Sequence, residues 1–295
     1  MSYFGIDWGS SSFRAYRFNE RAEVVDTIVD DKGILRLENV DFEQTLFKLL
    51  GPLLNQGDRL MFSGMITSRN GWIETPYTEL PASIEGYLAD GLKKRIRGFE
   101  MIFLPGVCQR QPADVIRGEE LQIFGVCAEE KDATVILPGT HSKWVQVRSD
   151  VITGFKTAMT GELYDLLMKR SLIGMIAEGD DYDEGSFLKG IEAGVRSHRD
   201  QSILAAMFTA RAAVLLNQLE ASQVASYLSG LLIGCEVESG LRAAVDRTAA
   251  PLIIGDELLC RRYGTALSVL GCSRYRIKAD ASIQGFARLI EQLSG

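Results

Sequence analysis

The sequence predicts an α/β protein of two halves, each built on a mixed sheet that opens with an antiparallel meander. A strand–turn–strand–strand pattern occurs twice, once from residue 3 and again from residue 133. Short apolar runs of strand length are interleaved with longer helical stretches in both halves. The 295 residues, 46% of them hydrophobic, suffice for one large or two medium cores.

The elements follow in order. Residues 3–7 read as a buried strand, 10–12 as a turn, and 13–18 (Phe, Arg, Ala, Tyr, Arg, Phe) as the returning strand. A third strand spans 23–29. A helix spans 42–54, stopped around Gly51-Pro52. A short strand at 60–63 precedes a polar, aromatic loop at 64–81, a helix at 84–96 and a strand at 99–104. Residues 109–118 read as loop and 119–128 as helix. The pattern then restarts with strands at 133–137, 143–147 and 151–156 around a turn at 138–142. Helices are expected at 161–169, 187–195, 202–217, 223–245, 257–270 and 282–293, with strands at 252–254 and 275–277. The charged stretch 129–132 places the domain boundary between residues 131 and 132.

Composition narrows the function. The net charge of −7 argues against nonspecific nucleic-acid binding, which needs a basic footprint. Five scattered cysteines, odd in number and without a CxxC pair, point to reduced thiols in a cytoplasmic protein. No signal peptide precedes the first strand, and no apolar run reaches the ~20 residues of a membrane span. Two histidines give little support to a zinc or Ser–His–Asp site.

The segment Asp7-Trp8-Gly9-Ser10-Ser11-Ser12-Phe13-Arg14 carries the most chemistry. A polyphosphate cradle needs free backbone N–H groups and hydroxyl donors, which Gly9, Ser10, Ser11 and Ser12 supply. It also needs an acid for a magnesium ion, which is Asp7, and Arg14 can reach phosphate or substrate oxygens. This hairpin resembles the first phosphate motif of the sugar kinase/actin/heat-shock chaperone ATPase superfamily. That resemblance implies ATP and Mg2+, and two ribonuclease H-like α/β halves around a central nucleotide cleft.

The turn Pro138-Gly139-Thr140-His141-Ser142-Lys143 resembles the second phosphate motif, with Gly139 and Thr140 in place and His141 and Lys143 as further phosphate contacts. Pro138 departs from the aspartate that many members carry, which leaves Asp7 as the main acid on the metal side. Arg117-Gly118-Glu119-Glu120-Leu121-Gln122 resembles the segment bearing the catalytic base of glycerol- and xylulose-type kinases. The resemblance implies Glu119 as base, with Glu120 as the alternative. Both also suit the first turn of a helix, where the macrodipole favours acids. Gly234, Gly255 and Glu257 fall where the adenosine motif is expected. Ser68, Arg69, Asn70, Trp72 and Tyr77, with Arg117 and Glu120, offer the hydroxyls, amide, cations and aromatics that a sugar acid would meet.

Together these motifs resemble the 2-dehydro-3-deoxygalactonokinase family over nearly the whole chain. The resemblance implies phosphorylation of the terminal hydroxyl of a 2-keto-3-deoxy sugar acid. Substrate and phosphate contacts would come from 1–131 and nucleotide contacts from 132–295, with no nucleic-acid or membrane partner. A kinase of another sugar and a non-catalytic nucleotide-binding regulator are the alternatives. The apolar stretch 202–245 would suit a homodimer.

Overall fold

Apolar side chains at Phe4, Ile6 and Trp8 are fully buried, which makes Tyr3–Trp8 a central strand, β1. The structure is a computed structural model and describes residues 1–37, 41–127, 129–199, 202–243 and 250–294. After β1 come β2 (Phe13–Phe18), β3 (Val24–Asp30), α1 (Phe42–Leu50), β4 (Arg59–Ser63) and β5 (Tyr77–Glu79). Then follow α2 (Ile84–Ala89), β6 (Leu92–Ile96), β7 (Phe99–Phe103), β8 (Gly106–Arg110), β9 (Ala113–Ile116) and α3 (Glu119–Cys127). The chain continues with β10 (Ala133–Leu137), β11 (Ser142–Arg148), β12 (Val151–Ala158), α4 (Thr160–Arg170), α5 (Glu184–Arg199) and α6 (Ile203–Leu215). It closes with α7 (Val224–Ala243), β13 (Leu252–Ile254), α8 (Glu257–Val269), β14 (Arg276–Lys278) and α9 (Ser282–Ser294).

Both predicted meanders grow into sheets of the same winding. The first sheet runs β3-β2-β1-β4-β7-β6 and the second β12-β11-β10-β13-β14. In each, the meander is followed by parallel strands added beside its first strand, β4 and β7 in one, β13 and β14 in the other. A small sheet, β5-β8-β9, completes the set.

Two compact units divide the chain. The first comprises Met1–Asp132, Val147–Phe155 and Asp280–Gly295; the second comprises Ala133–Gln146 and Lys156–Ala279. The division near residue 132 coincides with the charged stretch. The expected second domain also took in Val147–Phe155 and α9, whose contacts group them with the first unit.

In the first unit one face of the sheet is aromatic. Trp8 meets Phe13 edge-on at 5.0 Å, and Phe62 stacks on Phe103 at 4.6 Å. The other face takes α9. Gly5 lies so close beneath Phe286 that a Cβ there would stand 2.4 Å from the ring. Helix α3 then packs on α9 through glycines. A Cβ on Gly125 would come within 2.1 Å of Ala281 O, and one on Gly285 within 2.1 Å of Leu121 O. This close crossing seats the start of α3 on the sheet face that carries Asp7.

In the second unit α5 and α7 cross equally closely. Gly190 and Gly194 face Gly230 and Gly234, and a Cβ on any of them would meet the opposite backbone at 2.6 Å or less.

Two expectations are corrected. Residues 84–96 form α2 and then edge strand β6 rather than one helix. Asp90-Gly91 ends the helix, and Lys93, Lys94 and Arg95 give the edge strand the charge that discourages pairing with another chain. Residues 109–118 are not a loop but mostly hairpin β8–β9, turning at Gln111-Pro112. The predicted helices 119–128 and 223–245 are seen as α3 and α7; residues 128, 244 and 245 lie outside the described ones. The cysteines are free thiols. Among the described residues no helix is long and apolar enough to cross a membrane.

Candidate active site

The first turn follows from the register of its hairpin. Asp7 pairs with Arg14 across β1–β2 and with Ser63 across β1–β4, so the three share one face. Gly9 N–H closes the turn on Ser12 O at 3.0 Å. The turn is braced from behind: Ile34 N–H donates to Gly9 O and Leu35 N–H to Ser10 O. No room exists for a side chain at Gly33, whose Cβ would meet Ser10 O at 2.3 Å. Ser11 is exposed, and Gly9, Ser10 and Ser12 are half-buried.

Acidic groups converge at the end of this hairpin. Burial pushes the Asp7 carboxyl up to about 6; Arg14 opposes the rise, and Asp280 and Glu119 add to it. Arg14 Nη1 lies 3.6 Å from Asp280 Oδ2. Asp280 also accepts Tyr16 OH at 3.3 Å and the Ser282 backbone N–H at 2.7 Å, at the start of α9. Burial, and then Asp280, push the Tyr16 hydroxyl well up. Asp7 thus lies within reach of the charges of Arg14, Asp280 and Glu119.

Glu119 and Glu120 have different surroundings. Glu120 is fully buried; both its oxygens accept the Gly118 N–H, at 2.8 and 2.7 Å, and Oε1 accepts Tyr87 OH at 3.0 Å. Burial, then the Glu119 charge, push it up to about 7. Glu119 is half-buried, accepts Arg117 N–H at 3.1 Å and acts electrostatically on Asp7. Two glycines permit this geometry. Gly64 has φ +92°, and a Cβ there would stand 3.1 Å from Asp7 Oδ1; Gly118 has φ +106° and faces Gly64.

The predicted substrate residues divide. Arg117 is committed to its own loop: Nη1 donates to Thr67 O, Thr67 Oγ1 and Thr75 Oγ1, and Nη2 to Thr75 O. It also lies 4.4 Å over the Tyr77 ring. Trp72 packs edge-on against Phe62 and Phe103, which makes it core. Ser68 Oγ donates to Met65 O. Arg69 and Asn70 are exposed at the loop tip.

The second turn lies in the second unit. Gly139 is open to approach, with nothing within 4 Å of an added Cβ. Gly161, in the first turn of α4, packs against Gly139 and Thr140, and Glu162 N–H donates to Thr140 O at 2.9 Å. His141 pairs with Glu162 at 2.5 Å, and buried Lys143 donates to His141 O. Beside the turn is a cavity of about 650 Å³, whose lining includes Gly139, Thr140, Ser229, Arg262 and Tyr263.

The adenosine residues fare unevenly. Gly234 is spent on the α5–α7 crossing, because backbone there approaches backbone. Gly255 has φ +149° and lies near Pro138 O, so it borders the second turn. Glu257 pairs with Arg261 one helical turn on, and both are exposed. Among the described residues no group of three or more His, Cys, Asp or Glu could hold a metal ion.

Sequence reasoning missed Asp280, Tyr87 and Arg262. Asp280 had a local signal, the Asp-Ala-Ser cap before α9, but nothing local placed it 264 positions back, beside Tyr16.

Comparison with known proteins gives the family of the chain. A model of the 2-keto-3-deoxy-galactonokinase family matches residues 7–289. The 2-dehydro-3-deoxygalactonokinase of Escherichia coli (strain K12) is 32% identical over 290 residues, covering 98% of this chain and 97% of its own. The crystal structure of a Sinorhizobium meliloti protein assigned as a 2-dehydro-3-deoxygalactonokinase is similar at TM-score 0.88 and 30% identity, over 99% of this chain and 97% of its own. At the level of fold alone, component A of the (R)-2-hydroxyglutaryl-CoA dehydratase of Acidaminococcus fermentans is similar at TM-score 0.50 and 13% identity, covering 100% of this chain and 99% of its own. Matched over nearly its whole length, the chain belongs to the 2-keto-3-deoxy-galactonokinase family.

Proposed function

We propose that this kinase transfers a phosphoryl group from ATP to the terminal hydroxyl of 2-dehydro-3-deoxy-D-galactonate, giving the 6-phosphate, in the cytoplasm. The observation that carries the reading is the grouping of Asp7, Arg14 and Asp280 at the end of the first hairpin, with Glu119 near enough to act on Asp7. Kinase chemistry asks the protein for position and charge balance more than for covalent steps. Glu119, half-buried, held by the Arg117 N–H and close enough to act on Asp7, is taken as the base. It orients the acceptor hydroxyl and takes its proton as the new O–P bond forms and the bond to the β-phosphate oxygen breaks. Arg14 balances charge on the transferring group.

A magnesium ion would fit here as a guest of one carboxylate and the nucleotide, since the buried Asp7 carboxyl stands at the end of the hairpin. Asp7 would hold it through water, and a cation there would offset the burial and the neighbouring Asp280 and Glu119 charges that weaken Asp7 as an acid. Bound there, the ion would neutralise charge on the phosphates. In the second unit, Gly139 and Thr140 face phosphate, and the neighbouring cavity takes the nucleoside, with Arg262 and Tyr263 in its wall. Substrate contacts are assigned to the first unit: Arg69 and Asn70 are exposed, whereas Arg117 shapes the loop behind them.

One incubation with ATP and 2-dehydro-3-deoxy-D-galactonate tests this, the product being identified by mass and by its site of phosphorylation. A neutral hexose or pentose consumed equally well would replace the proposed acceptor.

A further inference from the structure

A buried carboxylate in the second unit gathers more hydrogen bonds than packing requires. Glu236, on α7, is 8% exposed. Its Oε1 accepts Trp144 Nε1–H at 2.8 Å. Its Oε2 accepts Ser142 Oγ and Tyr263 OH, each at 2.7 Å, and also Thr160 Oγ1. Ser142 and Tyr263 are themselves joined at 3.2 Å. Burying a carboxylate is costly, and an apolar side chain of similar volume would serve stability as well or better. A satisfied carboxylate contributes direction: it fixes four donors relative to one another.

All four donors belong to elements around the second turn. Ser142 follows the turn directly, and Trp144 lies on the same strand, β11. Thr160 opens α4, whose Gly161 packs against Gly139 and Thr140. Tyr263 and Thr160 both line the cavity of about 650 Å³. Glu236 does not line that cavity itself. It stands behind it, and on its other side borders a smaller cavity of about 250 Å³ with Trp144, Met159 and Cys235. The competing account, a carboxylate that merely stabilises the second unit, predicts no preference among ligands.

We infer that Glu236 is a positioning residue that holds the second turn, the start of α4 and Tyr263 in the arrangement that receives the nucleotide phosphates. This rests on the reading of Gly139–Thr140 as a phosphate turn. Replacement by Gln is informative at the atomic level. The amide nitrogen donates where Oε1 or Oε2 accepted, so either the Trp144 N–H or the hydroxyl group of three loses its acceptor.

The test compares Glu236→Gln, Tyr263→Phe and Ser142→Ala with the native protein. Steady-state rates are measured with ATP and the sugar acid each varied, and ATP affinity is measured by calorimetry without acceptor. Glu236→Gln raises both the KM and the Kd for ATP about tenfold, the equivalent of one charged hydrogen bond, and leaves the KM for the sugar acid within about twofold. Tyr263→Phe and Ser142→Ala move the same quantities in the same direction by less, and they decide the matter if Glu236→Gln does not fold. Unchanged ATP affinity with a lowered Tm would overturn the inference, as would an equal rise in both KM values. A native protein that binds ATP yet phosphorylates no acid sinks the kinase reading instead, while the ATP affinities still test Glu236.

Discussion

Glu119 and Glu120 are adjacent in sequence, yet their surroundings differ. Glu120 is closed off by Tyr87 and Gly118, whereas Glu119 belongs to the acid cluster near Asp7. Glu119→Gln is expected to lower kcat by about two to four orders of magnitude while ATP affinity by calorimetry stays at the native level. Glu120 instead leaves its mark on stability. Its carboxyl titrates at 4.5 when unperturbed and at about 7 in the fold, so the folded state binds the extra proton between those values. The native protein therefore loses stability as pH rises from about 5 through 7. Measured against Glu120→Gln, which cannot titrate, its Tm should fall over that window, by the equivalent of on the order of 2–3 kcal/mol. A flat difference would show that Glu120 is not held as an acid. The reading of Asp7 and Arg14 rests on local pattern, a strand ending in an acid and small residues at a turn, and that of Glu119 on resemblance to a family segment. Burial separates Glu119 from Glu120, and burial is a tertiary quantity, so the sequence left both open. Trp72 shows the same limit. An aromatic in a polar loop reads as a ligand contact until Phe62 and Phe103 are seen around it.

Hairpins and helix crossings set the precision of the site at the next scale. The strand–turn–strand elements were legible because two-residue alternation and a turn composition coincide within ten or so residues. The α3–α9 and α5–α7 crossings were not, because a glycine on an apolar helix looks alike whether it faces a nucleotide or another backbone. Gly234 was misread for that reason. Gly125 gives a direct test: Gly125→Ala pushes a methyl against Ala281 O, so α3 must move off α9. The expected result is a Tm lower by several degrees, matching the roughly 1–3 kcal/mol cost of overpacking, together with a loss of kcat because Glu119 moves with α3. Gly139→Ala is the counterpart. The new methyl meets no protein atom, so Tm stays put, while the KM for ATP rises if phosphate approaches there. An unchanged KM would remove Gly139 from the phosphate site.

On the scale of the molecule, the two larger sheets share one order over five strands, and each unit has its own core. The repeated opening at residues 3 and 133 carried that information in the sequence. The return of α9 to the first unit was hidden, since nothing in a terminal amphipathic helix names the sheet it covers. Phe286 fills the space that Gly5 leaves, near Tyr16 and Phe18. A chain ended after Ala279 should therefore lose cooperative melting of the first unit, while a ligand that binds the second unit still raises the melting temperature of that part. Calorimetry with and without Mg-ATP separates the two.

That placement of α9 also orders events during translation. Strands β1 and β2 are synthesised long before α9, the helix that seals one of their faces. Throughout synthesis of the intervening chain the nascent sheet carries a bare aromatic face at Tyr16 and Phe18. The first unit is completed only once α9 has been made, so α9 supplied as a separate peptide is expected to restore cooperative melting to a chain ended after Ala279.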